Sequence, residues 1–193
     1  IGIEDRASLN LWLNYFPKAF IYGMDIHKEE TGQRHMVIKG DQSKKEDLNR
    51  VIGNIRHPLF LILDDGSHIP EHQLLTFDTL FKYLLPGGTY VIEDVETSYW
   101  SKNHIYVYPT RYGYKNNQSL VETFKHLLDD VNRHFLTDQN KKLQDQLLDG
   151  KISKETRDLI SSITFSHNTI IITKKTVYEL NCREKTYYWS QNL

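Results

Sequence analysis

A run of five apolar residues, 59–63, stops at two adjacent carboxylates, Asp64 and Asp65. A wholly apolar segment of this length is typical of a strand that is buried on both faces of a parallel sheet. A second apolar segment, residues 89–92, also ends in two acids. Because open α/β sheets bind ligands beyond the carboxyl ends of their strands, these acids indicate the functional edge of the fold.

The length, charge and cysteine content of the chain limit its number of domains and its kinds of partner. Its 193 residues suffice for one domain, and we predict a single domain over residues 1–193. Residues 1–3 are typical of the end of a strand, so we expect a truncated start and a longer natural protein. A formal net charge of −1 gives no support for a nucleic-acid partner, and no apolar run reaches the ~20 residues of a membrane span. The lone Cys182 cannot form an internal disulfide, which is compatible with a cytoplasmic setting; a homo-oligomer is also allowed.

Strand and helix patterns alternate through the first half of the chain. The predicted strands are residues 19–26, 36–39, 59–65 and 89–95, and the predicted helices are residues 9–15, 45–55 and 70–85. The Pro-Gly-Gly tripeptide at 86–88 predicts the end of the last of these helices. Such alternation favours an α/β fold with a doubly wound, mostly parallel sheet.

The second half of the chain has a different pattern. Residues 96–117 are rich in Tyr, Asn and Trp without clean periodicity, and we expect a lid or insertion there. Two strands, residues 160–165 and 169–173, flank the turn signal Ser166-His167-Asn168. They predict an antiparallel hairpin that completes the sheet.

A long amphipathic helix is predicted between the lid and the hairpin. Apolar residues recur at i, i+4 and i+7 over residues 120–135. The stripe passes through Phe124 and Leu128 to Phe135, and we expect it to face the core rather than a cofactor.

Several short motifs occur in a fixed order over roughly the first half of the chain. They are Ser8-Leu9-Asn10-Leu11-Trp12, Tyr15-Phe16-Pro17, Gly23-Met24-Asp25-Ile26, Gly40-Asp41-Gln42-Ser43, Asp64-Asp65-Gly66-Ser67-His68, His72-Gln73, Pro86-Gly87-Gly88, Glu93-Asp94 and Thr97-Ser98-Tyr99. In this order and spacing they resemble class I S-adenosylmethionine-dependent methyltransferases. The greatest likeness is to metal-dependent sugar O-methyltransferases that act on deoxysugars such as rhamnose, as in macrolide tailoring. The resemblance implies a Rossmann-like class I methyltransferase fold, with S-adenosylmethionine and a divalent metal, Mg²⁺ or another, as cofactors.

Acids that follow the first strands are candidate cofactor ligands. Asp25 ends the strand predicted over residues 19–26, where a carboxylate can accept hydrogen bonds from ribose hydroxyls; a helix cap or a turn is the alternative. The resemblance gives Asp25 the ribose role and places Asp41 and Gln42 near the adenine, although an Asx turn would explain Asp41 as well. The remaining residues on the cofactor side of the resemblance are Gly2, Ser8 and Asp64. A glycine-rich loop does not follow Gly2, and the same absence weakens a nicotinamide-binding interpretation.

The acids at the other two strand ends are candidate metal ligands. Asp65, Glu93 and Asp94 would repel one another at a sheet edge, and a divalent cation is the simplest compensation. Adjacent strand residues point to opposite faces, so Glu93 and Asp94 can both be ligands only if the strand has already turned. For the same reason one of Asp64 and Asp65 should face the metal, and the resemblance favours Asp65. The alternative is that these acids cap helices or pair with Lys and Arg.

An imidazole and three further side chains complete the candidate site. His68 lies three residues after Asp65, and the resemblance assigns it the general base that deprotonates the attacking hydroxyl. Thr97, Tyr99 and Trp100 follow the second acid pair, and the two aromatic rings could offer flat surfaces to a sugar. Packing against the sheet would explain these three residues almost as well.

The combined interpretation is a metal-dependent O-methyltransferase whose acceptor is a sugar hydroxyl on a small molecule or glycan. One alternative keeps the cofactor but takes a catechol-like or other vicinal diol as acceptor. A second alternative is a metal-dependent hydrolase that uses the same Asp/His cluster to activate water. A third is a non-catalytic Rossmann-like domain inside a larger glycan-modifying protein.

Overall fold

The computed structural model describes residues 1–101 and 108–181. This part of the chain alternates strands with helices, as the apolar pattern predicts. The strands are β1 (Ile21–Asp25), β2 (Glu30–Thr31), β3 (His35–Lys39), β4 (Leu59–Asp64), β5 (Leu84–Glu93), β6 (Ile160–Ser166) and β7 (Thr169–Lys174). The helices are α1 (Ala7–Tyr15), α2 (Lys45–Asn54), α3 (Pro70–Leu80), α4 (Leu120–Val131), α5 (Asp138–Leu148), α6 (Lys154–Arg157) and α7 (Val177–Asn181).

The strands form two sheets rather than the single sheet expected. The first has the order β1-β3-β2, with β1 and β3 parallel. The second has the order β4-β5-β7-β6, in which β4 and β5 are parallel and the predicted hairpin β6–β7 pairs antiparallel with β5. Among the described strands, none joins β1 to β4. The α/β class and the terminal hairpin are therefore confirmed, whereas the sheet is divided between β1 and β4.

The Pro-Gly-Gly tripeptide lies inside β5 and does not terminate a helix. Helix α3 ends at Leu80, and a 3-10 turn, Phe81–Tyr83, leads directly into the strand. The pairing of β4 with β5 shifts register between Leu59 and Leu61, opposite this tripeptide. Prolines and glycines inside strands are typical of such irregularities because the local ladder is already interrupted. The helix predicted over residues 70–85 is therefore too long.

The long helix predicted over residues 120–135 is also too long. Helix α4 ends at Val131, and a separate 3-10 turn, Arg133–Phe135, follows it. Leu128 is 41% exposed and Phe135 is 77% exposed, so neither belongs to the core as predicted. Asn132 leaves the helical conformation, which takes Phe135 out of the stripe, whereas Leu128 lies within α4 on its exposed side. Three members of the stripe are fully buried, namely Leu120, Phe124 and Leu127.

An aromatic cluster fixes the two helices that lie against the second sheet. Phe77 of α3 contacts Phe81, Tyr90 and Phe124, with ring centroids 4.8, 5.2 and 5.0 Å away. All four rings are fully buried, and burial of each contributes roughly 1.5–3 kcal/mol. The cluster therefore gives β4 and β5 a rigid support, and the acids lie where these strands end.

The predicted lid is described in part. A 3-10 turn, Val95–Tyr99, opens it, and residues 102–107 lie outside the described residues. The tail beyond Asn181, which contains Cys182, also lies outside them. Over the described part of the chain, every helix is too short or too polar to span a lipid bilayer.

Candidate active site

Two acids and an imidazole meet beside the carboxyl ends of β4 and β5. These strands run parallel as neighbours, so the residues that follow them emerge at one edge of the sheet. Nε2 of His68 lies 3.1 Å from Oδ1 of Asp65 and 3.6 Å from Oδ2 of Asp94. Ligand atoms of all three residues lie within 4.8 Å of one another. The apolar run of the sequence therefore ends in a compact cluster, which we call the acid–histidine cluster.

The backbone turns sharply at two members of the cluster. Asp94 and His68 have φ of 53° and 54°, in the left-handed region that non-glycine residues seldom adopt. Because the backbone turns at Asp94, its side chain no longer follows the alternation of β5. Glu93 and Asp94 can therefore point toward the same side, as a shared metal site would require. Asn168, between β6 and β7, donates from Nδ2 to Oδ1 of Asp94 at 2.8 Å. The predicted hairpin turn thus holds one acid of the cluster.

Glu93 lies next to the cluster but does not belong to it. The three residues whose ligand atoms converge are Asp65, His68 and Asp94. The pKa of Glu93 is raised by burial, and the negative charges of Asp65 and Asp94 raise it further. A metal-ligand role for Glu93 stays a prediction.

Asp64 and Asp65 face different surroundings. Asp64 is fully buried, where it accepts hydrogen bonds from Nε2 of Gln42 at 2.7 Å and from the hydroxyl of Tyr90 at 3.2 Å. Burial raises the pKa of Asp64 to about 6, against the opposing effect of the nearby amino terminus and these hydrogen bonds. Oε1 of Gln42 also accepts from the backbone of Ser67 at 2.8 Å. Gln42 therefore joins the end of β3 to the loop that carries His68, and Asp65 is left to face the cluster.

His68 is held at both ring nitrogens. Nδ1 lies 3.0 Å from the hydroxyl of Tyr108, and Nε2 faces the two carboxylates. Burial lowers the pKa of His68, but the hydrogen bond to Asp65 and the charge of Asp94 outweigh it and leave the pKa raised. The acids therefore stabilise the imidazolium form. Tyr108 lies in the predicted lid, and no sequence pattern pointed to its role.

The cluster fits a hard divalent cation. The side chains of Asp65 and Asp94 are 44% and 42% exposed, so their oxygens can also reach water, which Mg²⁺ commonly retains. Oε2 of Glu96 is buried without a hydrogen-bond partner among the described residues, and its charge acts on both His68 and Asp94. Carboxylate oxygens suit Mg²⁺, whereas an imidazole suits transition metals better. The two carboxylates therefore fit the divalent metal that the resemblance implies, and His68 does not have to be a ligand of that metal.

The carboxylate of Asp25 is occupied by the backbone. It accepts four hydrogen bonds, from the N–H groups of Ile3, Glu4, His27 and Lys28, at 2.8–3.2 Å. Burial raises the pKa of Asp25, but these bonds outweigh it and leave the pKa lowered. Asp25 thus fixes two loops at the carboxyl end of β1. A ribose at this place would have to share oxygens that already carry these bonds.

The other predicted cofactor residues lie in different local environments. Oδ1 of Asp41 accepts from the backbone and the hydroxyl of Ser43 at 2.9 and 2.7 Å, which is the Asx turn offered as the alternative. These bonds lower the pKa of Asp41. Gly2 has φ of 79°, and a Cβ there would lie 1.9 Å from the carbonyl oxygen of Asp65, so this position requires glycine. Ser8 lies in α1 and lines an apolar cavity.

The predicted substrate residues are divided between interior and surface. Thr97 is 1% exposed and turned into the protein, so its geometry does not favour contact with an acceptor. Tyr99 is 46% exposed and stacks on Tyr114, with centroids 6.2 Å apart. Trp100 stacks on Tyr108 at 6.5 Å, which connects it to the residue that contacts His68.

Curated proteins match about half to two thirds of this chain. No protein-family model matches it. It is 41% identical over 108 residues to 8-demethyl-8-alpha-L-rhamnosyl tetracenomycin-C 2'-O-methyltransferase of Streptomyces olivaceus, covering 51% of the chain and 28% of the relative. It is 43% identical over 98 residues to mycinamicin VI 2''-O-methyltransferase of Micromonospora griseorubida, covering 49% and 24%. It is 34% identical over 131 residues to L-olivosyl-oleandolide 3-O-methyltransferase of Streptomyces antibioticus, covering 67% and 33%.

Solved methyltransferase structures are similar to a larger part of the chain. The MycE methyltransferase of the mycinamycin biosynthetic pathway, in complex with Mg and SAH, has a TM-score of 0.70 and 29% identity, covering 88% of this chain and 41% of that one. Its complex with Mg, SAH and mycinamycin VI has a TM-score of 0.68 and 27% identity, covering 88% and 40%.

The fold is therefore that of a class I methyltransferase, and the predicted fold class is confirmed. The homologues of this chain are sugar O-methyltransferases of macrolide and tetracenomycin pathways, which confirms the resemblance seen in the motifs. The chain spans 24–33% of the length of these three relatives.

Proposed function

We propose that this chain is the methyltransferase domain of an S-adenosylmethionine-dependent, divalent-metal-dependent enzyme that methylates a sugar hydroxyl. The observation that carries the proposal is the acid–histidine cluster at the carboxyl ends of β4 and β5, in a fold shared with a methyltransferase solved with Mg and SAH. The single domain would comprise residues 1–193. A deoxysugar such as rhamnose, on a small molecule or a glycan, is the proposed acceptor, and a cytoplasmic setting is proposed with it.

The acids of the cluster would hold the metal. Asp65 and Asp94 converge on one point, and Glu93 is proposed as a third ligand because it ends the strand that precedes Asp94. A bound divalent cation would lower the pKa of a coordinated hydroxyl and orient it. His68 would then take the proton that the acceptor hydroxyl loses, since Nε2 faces the same point as the acids. Tyr108 would hold the imidazole through Nδ1.

The cofactor would lie along the carboxyl ends of β1 and β3. A cavity of about 400 Å³ opens there beside Gly40 and Asp41, within the size range of ligand pockets. Asp25 would shape the loops around the ribose, and Gly2 would let the backbone pass close to Asp65. Ser8, Gln42 and Asp64 stay proposed cofactor residues, although Ser8 lines the apolar cavity instead and Gln42 and Asp64 are buried.

The acceptor would lie on the outer side of the cluster. Tyr99 and Trp100 present aromatic surfaces at the start of the lid, and Trp100 is linked to His68 through Tyr108. Flat apolar surfaces beside a polar cluster are suited to a sugar ring. Thr97 would support this turn from inside rather than contact the acceptor.

One set of measurements tests the proposal. Transfer of labelled methyl from S-adenosylmethionine to rhamnosyl glycosides should require a divalent cation and stop with EDTA. Asp94→Asn should lose turnover while calorimetry shows nearly unchanged binding of S-adenosylmethionine, and the exposed Asp129→Asn is the matched control. Turnover that survives both EDTA and Asp94→Asn would refute the metal role. Absence of cofactor binding would refute a methyltransferase, and methylation of catechols alone would change the acceptor class.

A further inference from the structure

Two members of the acid–histidine cluster have a left-handed backbone conformation. The φ angles of His68 and Asp94 are 54° and 53°. This conformation is unfavourable for residues that carry a side chain, and it persists only where the surrounding structure fixes it. Ser67 and Glu93 immediately precede these two residues, and each of them forms a hydrogen bond with the start of α3.

Gln73 of α3 contacts the strand end that precedes Asp94. Its Nε2 donates to the carbonyl oxygen of Glu93 at 3.0 Å. This carbonyl belongs to the planar peptide group that joins Glu93 to Asp94, so the bond fixes the plane at which the left-handed turn begins. Gln73 is fully buried, and its Oε1 has no hydrogen-bond partner among the described residues. Since a buried amide that is only half satisfied costs stability, packing alone would favour an apolar side chain at this position.

His72 contacts the loop that precedes His68. Its Nδ1 lies 3.0 Å from the hydroxyl of Ser67, and the same hydroxyl oxygen accepts from the N–H of Ile69 at 3.4 Å. The proton of this hydroxyl can therefore be donated to Nδ1 of a neutral imidazole. Burial lowers the pKa of His72, which favours that neutral form.

Helix α3 provides a rigid base for both contacts. The N–H groups of His72 and Gln73 both donate to the carbonyl of Ile69, at 2.9 and 3.0 Å, so both residues lie in the first hydrogen-bonded turn. One turn further on, Phe77 packs in the buried aromatic cluster against the second sheet. Adjacent helical side chains point about 100° apart, which allows the two residues to contact two different loops.

We infer that His72 and Gln73 are positioning residues of the acid–histidine cluster, each of which holds one of its two left-handed turns. His72 holds the turn that directs His68, and Gln73 holds the turn that directs Asp94. The first turn of α3 therefore sets the spacing between the imidazole and the carboxylate. The consequence for a bound cation rests on the proposed function, whereas the consequence for the two loops does not.

The experiment compares His72→Leu and Gln73→Met with the parent protein. Each variant keeps a side chain of similar size and removes one hydrogen bond. Thr79→Val is the matched control, because the buried hydroxyl of Thr79 donates to the carbonyl of Leu75 within α3, away from both loops. His72→Asn is the rescue variant, because its Oδ1 can accept from the hydroxyl of Ser67 in place of Nδ1.

Hydrogen exchange of the metal-free protein is the first measurement. The amides of Ser67 and Val95 report on the two loops, since each donates a hydrogen bond there. His72→Leu should speed exchange at Ser67 by about fivefold or more and leave Val95 unchanged, and Gln73→Met should do the reverse. Ile172 of β7 serves as the reference amide in every variant.

Calorimetric titration with Mn²⁺ is the second measurement. Either substitution should weaken binding by about tenfold, within the range for groups that lie behind a metal ligand. His72→Asn should restore most of the affinity, and Thr79→Val should bind Mn²⁺ as the parent does. A parent protein that binds no Mn²⁺ would refute the proposed function but not this inference, which the exchange measurement then decides alone.

Three results would overturn the inference. The first is unchanged exchange at both loops in both variants. The second is equal acceleration in Thr79→Val, which would indicate a general loss of stability. The third is a His72→Asn protein as altered as His72→Leu, which would mean that ring volume and not the hydrogen bond acts. Where a variant does not fold, Ser67→Ala or Gln73→Asn, which is one methylene shorter, takes its place with the same expectations at residues 67 and 95.

Discussion

Asn168 donates from Nδ2 to Oδ1 of Asp94 at 2.8 Å, across 74 residues of sequence. The same amide accepts the N–H of Glu96 through Oδ1 at 2.9 Å. The turn of the β6–β7 hairpin thus fixes both the side chain and the backbone of the segment that follows β5. A polar residue outside the cluster orients an acid within it, which is how proteins commonly tune metal ligands.

We expect Asn168→Gly to weaken divalent-cation binding by about tenfold, within the range seen when a group behind a metal ligand is removed. Glycine retains the positive φ of 55° at this turn, so the change removes the amide without straining the backbone. Calorimetric titration with Mn²⁺ measures it. The exposed His167→Ala in the same turn is the control, and equal affinity in the two variants would contradict the prediction.

Tyr108→Phe should lower kcat by about fivefold to tenfold while KM changes little. The variant removes the hydroxyl that lies 3.0 Å from Nδ1 of His68, and one hydrogen bond contributes roughly 1 kcal/mol. Steady-state kinetics with a rhamnosyl acceptor separate the two constants. Tyr114→Phe, on an exposed ring of the same segment, should leave both unchanged. A rise in KM alone would place Tyr108 in acceptor binding instead.

Gln42→Leu should destabilise the fold by roughly 1–3 kcal/mol, because it leaves the buried Asp64 with one fewer donor and the N–H of Ser67 without its acceptor. Urea denaturation followed by tryptophan fluorescence gives the free energy of unfolding. The exposed Gln118→Leu is the matched control. If both variants unfold at the same urea concentration as the parent, the link between β3 and the His68 loop is not stabilising.

The pH dependence of stability should change when Asp64 is replaced. Its folded-state pKa is raised to about 6 from 3.8, so the folded protein binds this proton more tightly than the unfolded chain. The contribution of Asp64 to stability is therefore greatest at low pH and falls as pH rises from about 4 to about 6, by roughly 1–3 kcal/mol. Asp64→Asn should remove this fall. The difference in unfolding free energy between parent and variant, measured from pH 4 to 7, tests it, and a constant difference would refute it.

Much of the fold could be predicted from patterns of residues that are close together in the sequence. The apolar run before Asp64 correctly predicts strand β4, but the burial predicted for both of its faces is wrong, since Phe60 is 53% exposed and Ile62 is the one buried residue of the run. The turn residues around His167 predict the hairpin because they suit a tight reversal. The acids at the ends of β4 and β5 could be placed together because parallel neighbours end at one edge. These features depend on residues close in sequence, which is why the sequence alone predicted them.

Tertiary contacts decided the remainder. The tripeptide Pro86-Gly87-Gly88 lies inside β5 because Leu84 and Thr89, on either side of it, both pair with β4, and the register shift between them accommodates it. The choice between Asp64 and Asp65 depends on Gln42 and Tyr90, which bury the first and leave the second free to face His68. Asn168 lies 74 residues along the chain from Asp94, and Tyr108 lies 40 residues from His68, the residues with which they form hydrogen bonds. Such residues carry no local signal, because a hydrogen bond between distant segments exists only once packing has brought them together.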